Sequence, residues 1–296
     1  MGYILLCLSV DIEEWHHYLW PYRNKATFES SNSAFYELTF LEPLRRILEI
    51  FENHGVKSTF FVLGEVAKSY PEVVEKIYDF GHEIASHGYC HKDLTRVNKN
   101  DFEKMEKMNR ELLAKITGHN PKGFRSPMFN VNTAILNSLE KIGYSYDSSV
   151  VPSIKIPGWF GFPNAPMHPY HPSIENGIKT CEERDFYEVP IAVFPLLRLP
   201  AGGGWFLRNL GTAYIRTAVK LLLSKGYPVI LYIHLQDLSS VKPRIDGVPF
   251  HEFRNCGKYA LKAIENILRN IKVRKMPICD IISALEPSNV TFYHLI

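Results

Sequence analysis

The stretch His82-Glu83-Ile84-Ala85-Ser86-His87-Gly88-Tyr89-Cys90-His91 is the centre around which the chain is organised. A short apolar run leads into a turn that carries His87, and a second histidine follows at His91. Residues four apart share a face if the segment turns helically, so the two imidazoles can converge on one cation. Neutral imidazole is a good ligand for zinc and similar divalent metals. In a chain with 12 histidines the pair also fits chance spacing, so a metal site needs support from the rest of the sequence.

Helices and strands alternate on both sides of this stretch. Apolar residues recur at helical spacing in several segments, and a glycine ends most of them. The first strand, Tyr3 to Val10, is almost continuously apolar, which is typical of a parallel strand buried on both faces. Alternation of this kind predicts an α/β fold with a mainly parallel sheet and helices outside it. The predicted helices span residues 42–54, 71–80, 101–117 (with Phe102, Met105, Leu112 and Ile116 as its apolar residues), 132–142 and 212–224.

Polar side chains follow several of the predicted strands. Asp11, His87, Arg125, Asp147 and His234 each come directly after one of them. In α/β barrels the chemistry lies at the carboxyl ends of the strands. The sequence therefore predicts that these side chains lie around one mouth of a barrel.

Two carboxylates follow the first strand. In extended chain, residues i and i+2 point the same way, so Asp11 and Glu13 face one side and Glu14 faces the other. One carboxylate of such a pair can ligate a metal while the other takes a proton from water. The alternative is a solvated acidic turn, which the apolar strand before it disfavours.

Arg125 and His234 fit the same site. An arginine beside a carboxylate base holds that base ionised and oriented. A histidine at the end of a barrel strand is suited to act as a general acid, and Asp237, three residues on, could orient it. Each residue also has an ordinary alternative, a surface arginine or a core histidine with satisfied hydrogen bonds. Cys90, between the paired histidines, is assigned to packing.

The alternation stops between residues 150 and 184, where six prolines and several aromatic residues fall. Long structured loops are usually functional, so this segment is either an aromatic wall of a substrate groove or a flap over a barrel edge. We predict that Trp159 or Tyr170 lies along the cleft that contains His87. Further on, Ala201-Gly202-Gly203-Gly204-Trp205 is a glycine turn that allows close backbone approach, and it lacks the Gly-Lys-Ser/Thr of a phosphate loop.

Composition restricts the class of protein. The chain has 296 residues, 46% of them hydrophobic, which is enough for one large core, and no linker or repeat divides it. A net charge of +3, from 34 basic and 31 acidic residues, is too balanced for a nucleic-acid partner. Five scattered cysteines without a CxxC pair indicate free thiols in a reducing compartment. No apolar run approaches the ~20 residues of a membrane span, and the apolar start lacks the basic residues of a signal peptide. We therefore expect residues 1–296 to form one cytoplasmic domain.

Four segments together resemble the polysaccharide deacetylases of the NodB-like class, carbohydrate esterase family 4. They are, in order, Val-Asp-Ile-Glu-Glu-Trp at 10–15, Ser-His-Gly-Tyr-Cys-His at 86–91, Arg-Ser-Pro at 125–127 and Tyr-Ile-His at 232–234. The likeness covers roughly residues 5 to 234. It implies a distorted, TIM-like (β/α)7 barrel whose metal triad, aspartate base and histidine acid hydrolyse an N-acetyl group from a sugar.

The resemblance assigns the site residues one by one. It implies Glu13, His87 and His91 as ligands of a divalent metal, with zinc the expected ion, Asp11 as base held by Arg125, and His234 as acid. The usual first motif has adjacent aspartates, whereas Asp11-Ile12-Glu13 resembles a subgroup with one residue between the two carboxylates. Glu14 is therefore a rival ligand to Glu13. That subgroup also contains cyclic-amide hydrolases resembling allantoinase, some of them metal-independent.

The expected partner is a carbohydrate or an N-acyl sugar. Residues expected to bind it are Tyr89, Trp159, Tyr170, Gly202, Arg208 and Asp237, and backbone N–H groups near Tyr89 or Gly202 are candidates for stabilising an oxyanion. Two other functions stay open: a cyclic-amide hydrolase with a deep closed pocket, and a catalytically silent carbohydrate-binding domain. The sequence leaves the sugar, the acyl group and the oligomeric state undetermined.

Overall fold

The fold is built on a parallel β-sheet that curls into a distorted barrel. The computed structural model describes residues 5–22, 33–157, 159–181, 184–243 and 247–285. The strands in these residues are β1 (Leu5–Ile12), β2 (Thr59–Val62), β3 (Glu83–Ser86), β4 (Gly123–Phe124), β5 (Tyr146–Asp147), β6 (Tyr187–Glu188), β7 (Val193–Phe194), β8 (Leu199–Pro200), β9 (Val229–His234) and β10 (Arg274–Lys275).

The strand order places β1 between β9 and β2, with β3 to β6 following in sequence and β10 beside the start of β1. After β6 the backbone N–H of Val189 donates to the carbonyl of Asp147 on β5 (2.8 Å), and that of Ala192 donates to the carbonyl of Ile230 on β9 (2.9 Å). The segment after β6 is thus hydrogen-bonded first to β5 and then to β9. It closes the ring, although β6 and β9 are not joined by a continuous ladder. β7 and β8 form a separate antiparallel pair. The predicted α/β barrel is confirmed, with β1 to β6 and β9 as its parallel ring.

Helices cover the outside of the sheet. The side chains of Asn98 and Asn132 accept backbone N–H groups at two helix starts, and Gly118 and Gly143 end those helices in the left-handed conformation. Among the helices that the structure describes, none combines the length and apolar character needed to span a bilayer. The helices are α1 (Trp15–Tyr18), α2 (Ser33–Tyr36), α3 (Glu42–Asn53), α4 (Gly64–Ser69), α5 (Pro71–Asp79), α6 (Lys99–Thr117), α7 (Thr133–Ile142), α8 (Gly204–Leu210), α9 (Thr212–Ser224), α10 (Leu235–Leu238), α11 (Phe250–Phe253), α12 (Lys258–Asn270) and α13 (Ile278–Leu285), with a π-helical turn, Glu37–Leu41, before α3.

The alternation of side chains along the strands brings polar groups into the barrel. In β1, Cys7 belongs to an apolar core inside the ring, whereas its neighbours in sequence pack outward beneath the helices. Ser9 and Asp11 continue the inward row because residues i and i+2 share a face. In β9, Tyr232 lies inside the ring in the same way, and His234 follows it at the mouth. Apolar residues thus fill the lower barrel and polar residues its carboxyl end.

The buried face of α6 differs from the one that its apolar residues indicate. Glu103, Glu106 and Asn109 face the protein interior, while Met105 and Leu112 are only half-buried. Burying a polar group is costly unless it is hydrogen-bonded. All three side chains contact polar partners beneath the helix, which offsets that cost.

Candidate active site

Strand register brings Asp11 and His234 side by side at the carboxyl end of the barrel. The two residues are direct partners in the β1–β9 ladder. His87 and Arg125 follow β3 and β4, which end at the same level because Ser86 pairs with Phe124. Residues distant in sequence therefore share one mouth, as the order of strands and polar residues predicts.

Asp11 is held by a buried arginine. Arg125 Nη1 donates to Asp11 Oδ1 at 2.7 Å and to Ser9 Oγ at 2.8 Å. Arg125 Nε and Nη2 donate to the carbonyl and hydroxyl of Ser148 at 3.0 and 3.1 Å, and the guanidinium lies 3.9 Å from the centre of the Phe61 ring. Both Asp11 and Arg125 are fully buried. The other carboxylate oxygen, Asp11 Oδ2, is buried without a hydrogen-bond partner among the described residues and lies 3.8 Å from His234 Nε2.

Glu13 lies between the paired histidines. Its Oε1 is 2.7 Å from His87 Nε2 and 3.4 Å from His91 Nε2. The three residues form a group whose potential ligand atoms all lie within 4.8 Å of one another. Although burial opposes ionisation, the imidazoles of His91, His234 and His87 hold the pKa of Glu13 well below its usual value. The group thus combines a buried, ionised carboxylate with two imidazoles, the residue types that ligate divalent cations.

The tautomer of His87 is the one that suits a metal ligand. His87 Nδ1 lies 2.8 Å from the backbone carbonyl of Arg125, which can only accept a hydrogen bond, so Nδ1 carries the proton. In neutral His87, Nε2 then directs a lone pair at Glu13 Oε1. Two lone pairs at 2.7 Å repel each other unless a proton or a metal cation lies between them. A carboxylate with two imidazoles is also a donor set that zinc accepts.

The loop that presents the two histidines is not helical. Residues 87–91 form a bend in which Gly88 has a φ of +79°. Two bonds attach this bend to the start of α4: Gly64 N donates to the carbonyl of Gly88 (2.9 Å), and Glu65 N donates to that of Tyr89 (2.8 Å). The imidazoles therefore meet through a fixed turn and not through helical spacing.

Glu14 points away from this group. Its carboxylate pairs with His16 Nδ1 at 3.2 Å and belongs to a separate group with His16 and His17. Of the two rival carboxylates, Glu13 is the one placed against His87 and His91. The i, i+2 alternation from Asp11 explains this placement.

His234 is supported by a buried ion pair. Asp237 Oδ2 accepts the backbone N–H of His234 at 2.9 Å and lies 3.7 Å from its Nδ1, while Asp237 Oδ1 accepts from Arg208 Nε at 2.6 Å. Burial opposes protonation, but the carboxylates of Glu13, Asp237 and Asp11 raise the pKa of His234 to about 9. The surrounding carboxylates thus favour the protonated form of His234.

Arg208 and Gly204 support this pair from outside the cavity. Arg208 is buried and also donates to the hydroxyl of Tyr18 at 2.9 Å, so it fixes Asp237 and does not face a substrate. A Cβ on Gly204 would lie 2.1 Å from Asp237 Oδ2. The close approach predicted for the glycine turn is thus an approach to the chain's own carboxylate.

One cavity contains the acid, base and ligand candidates. Trp159 is among its walls, at the place predicted for it. The Pro-rich segment therefore reaches this mouth of the barrel. The lining residues are Asp11, Glu13, Tyr18, Trp20, Pro21, Tyr22, His87, His91, Met128, Phe129, Trp159, Phe160, Trp205, Tyr232, His234 and Glu252.

Three expected substrate-binding residues lie off this cavity. Tyr170 is buried and its hydroxyl donates to the carbonyl of Gly177 at 2.9 Å, which braces the Pro-rich segment. Gly202 is buried against Ile191, and its carbonyl accepts the backbone N–H of Tyr232. Tyr89 packs its ring against the start of α4. The structure corrects the expectation that these residues face the substrate.

Sequence reasoning also missed residues that matter here. Ser9 was detectable, since it lies two residues before Asp11 on the same face of β1. Trp20 and Tyr22 sit in a short 3₁₀ turn at the cavity wall, and no spacing pattern marks them. Trp205 adjoins the glycine turn, but only the fold brings it opposite Trp159, with ring centres 5.8 Å apart.

Asp147 is the last residue of β5, and its side chain lies behind the site and not in it. Its carboxylate accepts the hydroxyl and the N–H of Ser149 at 2.7 and 3.0 Å, and Glu188 Oε1 accepts Val150 N at 3.0 Å. Burial raises the pKa of both carboxyl groups, and for Glu188 the neighbouring Asp147 raises it further. Both shifts favour a protonated pair, and its hydrogen bonds to Ser149 and Val150 order the segment that carries Ser148, a partner of Arg125.

Glu188→Gln is expected to flatten the pH dependence of stability. The pKa of Glu188 in the folded chain lies above the unfolded value of about 4.5. The protonated side chain therefore contributes its full stabilisation below about pH 4.5, and this stabilisation is lost as the pH rises through the folded pKa. Glutamine cannot ionise, so the fall in the free energy of unfolding from pH 5 to pH 8 should be smaller. Urea denaturation at both pH values measures the free energy of unfolding. The control variant is Glu175→Gln, which changes an exposed glutamate. A fall as steep as in the wild type would contradict the assignment.

Parts of the chain are similar in sequence to known proteins. Residues 36–146 match the family model described as "Polysaccharide deacetylase", and residues 148–276 match "Domain of unknown function (DUF3473)". A peptidoglycan-N-acetylglucosamine deacetylase from Bacillus cereus is 34% identical over 123 residues, 40% of this chain and 45% of that protein. A peptidoglycan deacetylase from Helicobacter pylori is 26% identical over 148 residues, half of each chain. The chain thus spans about half the length of these relatives.

Solved structures show the same fold. A Mycobacterium smegmatis structure described as a polysaccharide deacetylase has a TM-score of 0.66 at 20% identity, covering 96% of this chain and 90% of that one. The PuuE allantoinase has a TM-score of 0.62 at 17% identity, covering 94% and 89%. These likenesses concern the fold alone. The part of the chain that resembles polysaccharide deacetylases in sequence, residues 36–146, contains His87, His91 and Arg125.

Proposed function

We propose that this protein is a metal-dependent hydrolase that removes an N-acetyl, or another N-acyl, group from an amino sugar or polysaccharide. The observation that carries the proposal is the meeting of Glu13, His87 and His91 in one cavity with Asp11 and His234. A nucleophilic water needs a base, an amide leaving group needs an acid, and the carbonyl needs positive charge beside it. Residues suited to supply the base, the acid and the positive charge all surround the same cavity.

Glu13, His87 and His91 would hold the cation, with zinc expected from the donor set. A divalent ion bound there supplies charge that polarises an amide carbonyl and lowers the pKa of water. The carbonyl of Arg125 fixes the His87 tautomer that presents Nε2 to the ion. Hydrogen-bonded partners of this kind orient the ligands in metal sites.

Asp11 is suited to take the proton from the attacking water. Arg125 occupies only its Oδ1, which leaves Oδ2 to accept the proton. The arginine is rigid because five contacts fix it, two on β1, two on Ser148 and one on Phe61. The base is therefore oriented before substrate arrives.

His234 is suited to give a proton to the departing nitrogen. Its Nε2 faces the cavity 3.8 Å from Asp11 Oδ2 and 3.9 Å from Glu13 Oε1, while Asp237 lies behind its Nδ1. Asp237 and Asp11 are among the carboxylates that favour its protonated form. Acid and base thus flank the ligand group from neighbouring strands.

The walls of the cavity suit a sugar. Trp159 and Trp205 meet edge to face on one part of the rim, and Trp20 and Tyr22 line another. Aromatic side chains offer large apolar surfaces with few conformations to lose, which favours contact with the C–H faces of a sugar ring. A carbohydrate is the partner that we propose for this surface.

The test is acetate release from N-acetyl-chitooligosaccharides by the purified chain. We expect release with zinc present and loss of it after chelation, restored when zinc is returned. His91→Ala should abolish the restoration, whereas the exposed His119→Ala should not. Ring opening of allantoin without acetate release would favour the cyclic-amide hydrolase, and oligosaccharide binding without turnover of any N-acyl sugar would favour a silent binding domain.

A further inference from the structure

The buried polar stripe of α6 includes a carboxylate that no catalytic step uses. Glu106 is 1% exposed, although it lies near the middle of a 19-residue helix whose other side faces solvent. An unpaired carboxylate at such a position would be strongly destabilising. Departures from the apolar pattern of a helix are expected where function requires them. The partners of Glu106 therefore indicate why it is there.

Those partners lead to the turn that carries His87. Ser86 Oγ donates to Glu106 Oε1 at 2.5 Å, and the Tyr144 hydroxyl donates to the same oxygen at 2.6 Å. Ser86 Oγ in turn accepts from Asn109 Nδ2 at 2.8 Å and from the backbone N–H of Gly88 at 3.0 Å. The serine hydroxyl thus uses its one donor and both acceptor positions. All the side chains involved are buried.

This network fixes His87 from behind. Ser86 points out of the barrel towards α6, while the next residue, His87, points in towards Glu13. The bond from Gly88 N to Ser86 Oγ closes the turn on the far side of the imidazole. Residues immediately before and after His87 are therefore tied to one hydroxyl, and that hydroxyl donates only to Glu106.

We propose that Glu106 is a positioning residue that, through Ser86, holds the His87–His91 loop in the geometry that presents both imidazoles to Glu13. The proposal rests on the proposed function only in taking those imidazoles as metal ligands. The loop geometry itself rests on hydrogen bonds within the chain. Loss of the carboxylate at Glu106 removes the acceptor to which the Ser86 and Tyr144 hydroxyls donate, and so loosens the turn.

The same helix provides a matched control. Glu103 lies one turn earlier on the same face and is 8% exposed. It accepts from Ser138 Oγ at 2.9 Å and from Lys141 Nζ at 3.0 Å, both on α7 and not on the histidine loop. A change at Glu103 therefore tests the general cost of removing a buried glutamate from α6.

The experiment compares Glu106→Leu, Glu106→Gln and Glu103→Leu in the full chain. Amide hydrogen exchange of residues 86–91 is measured without metal, and zinc affinity is measured by competition with a chelator. Glu106→Leu should speed exchange in 86–91 and weaken zinc binding by roughly 10–100-fold, as for other partners of metal ligands. Glu106→Gln keeps an acceptor oxygen and should stay within about threefold of the wild type. Glu103→Leu should change exchange near Ser138 only.

Unchanged exchange and zinc affinity in Glu106→Leu would overturn the proposal, as would equal loop effects from Glu103→Leu. If the wild type binds no zinc, the metal proposal fails, and faster loop exchange in Glu106→Leu alone still supports the positioning role. If Glu106→Leu does not fold, the same exchange measurement on Ser86→Ala and Ser138→Ala tests the proposal instead. The first should loosen the loop and the second should not, and equal effects of the two would overturn the proposal.

Discussion

Asp11→Asn is expected to lower turnover on an N-acetyl sugar by roughly 10²–10⁴ while leaving zinc bound, because it removes the base without touching the ligand group. Asparagine still offers an oxygen to Arg125 Nη1 in place of Asp11 Oδ1. It cannot accept the water proton that we assign to Oδ2, the oxygen without a partner among the described residues. Turnover and metal content of the same preparation are the measurements.

The control for Asp11→Asn must show that the variant still folds, because Arg125 loses a charged partner in a fully buried site. Thermal unfolding separates a lost base from a lost structure. The remaining bonds of Arg125 to Ser9 and Ser148 should keep the variant folded at assay temperature. Loss of zinc from a folded Asp11→Asn would move Asp11 into the ligand set and leave the base unidentified.

His234→Ala is expected to spare metal binding and to slow the amide reaction by roughly 10²–10⁴, because the departing nitrogen loses its proton source. The effect should be smaller on an activated ester, whose leaving group departs without a proton. Turnover on both substrates is the measurement, and the ratio of the two losses is the diagnostic quantity. A general structural defect would slow both reactions equally.

The matched control for His234→Ala is His119→Ala, an exposed histidine at the opposite end of the barrel, beside β3. It should leave both reactions unchanged. Amide turnover by His234→Ala at the wild-type rate would refute the role of His234 as general acid. Equal losses on amide and ester, in a variant that unfolds at the wild-type temperature, would assign it to positioning instead.

The barrel and the inward residues could be predicted because simple periodicities govern them. The alternation of β1 places Asp11 and Glu13 on one face, and strand order brings His87 and His234 to the same mouth. Helices also end at the glycines that predicted their ends, for example at Gly118. These features depend on local patterns, which a single sequence contains.

Other features could not be predicted because they depend on partners distant in sequence. Nothing near Arg208 shows that it pairs with Asp237, 29 residues away, and so faces away from the substrate. The buried face of α6 contradicts its apolar pattern because Glu106 meets Ser86 and Tyr144, residues of other elements. Helical spacing suggested how His87 and His91 converge, but a turn at Gly88 brings them together.

The most direct test of the account is the position of a bound metal. Crystals of the full chain grown with zinc, and measured on both sides of the zinc absorption edge, locate the ion by anomalous scattering. We predict one site bounded by Glu13, His87 and His91, at ligand distances of about 2.0–2.2 Å. A peak at Glu14, His16 and His17 instead, or a Glu13 carboxylate turned away from both imidazoles in the zinc-loaded crystal, would contradict the account.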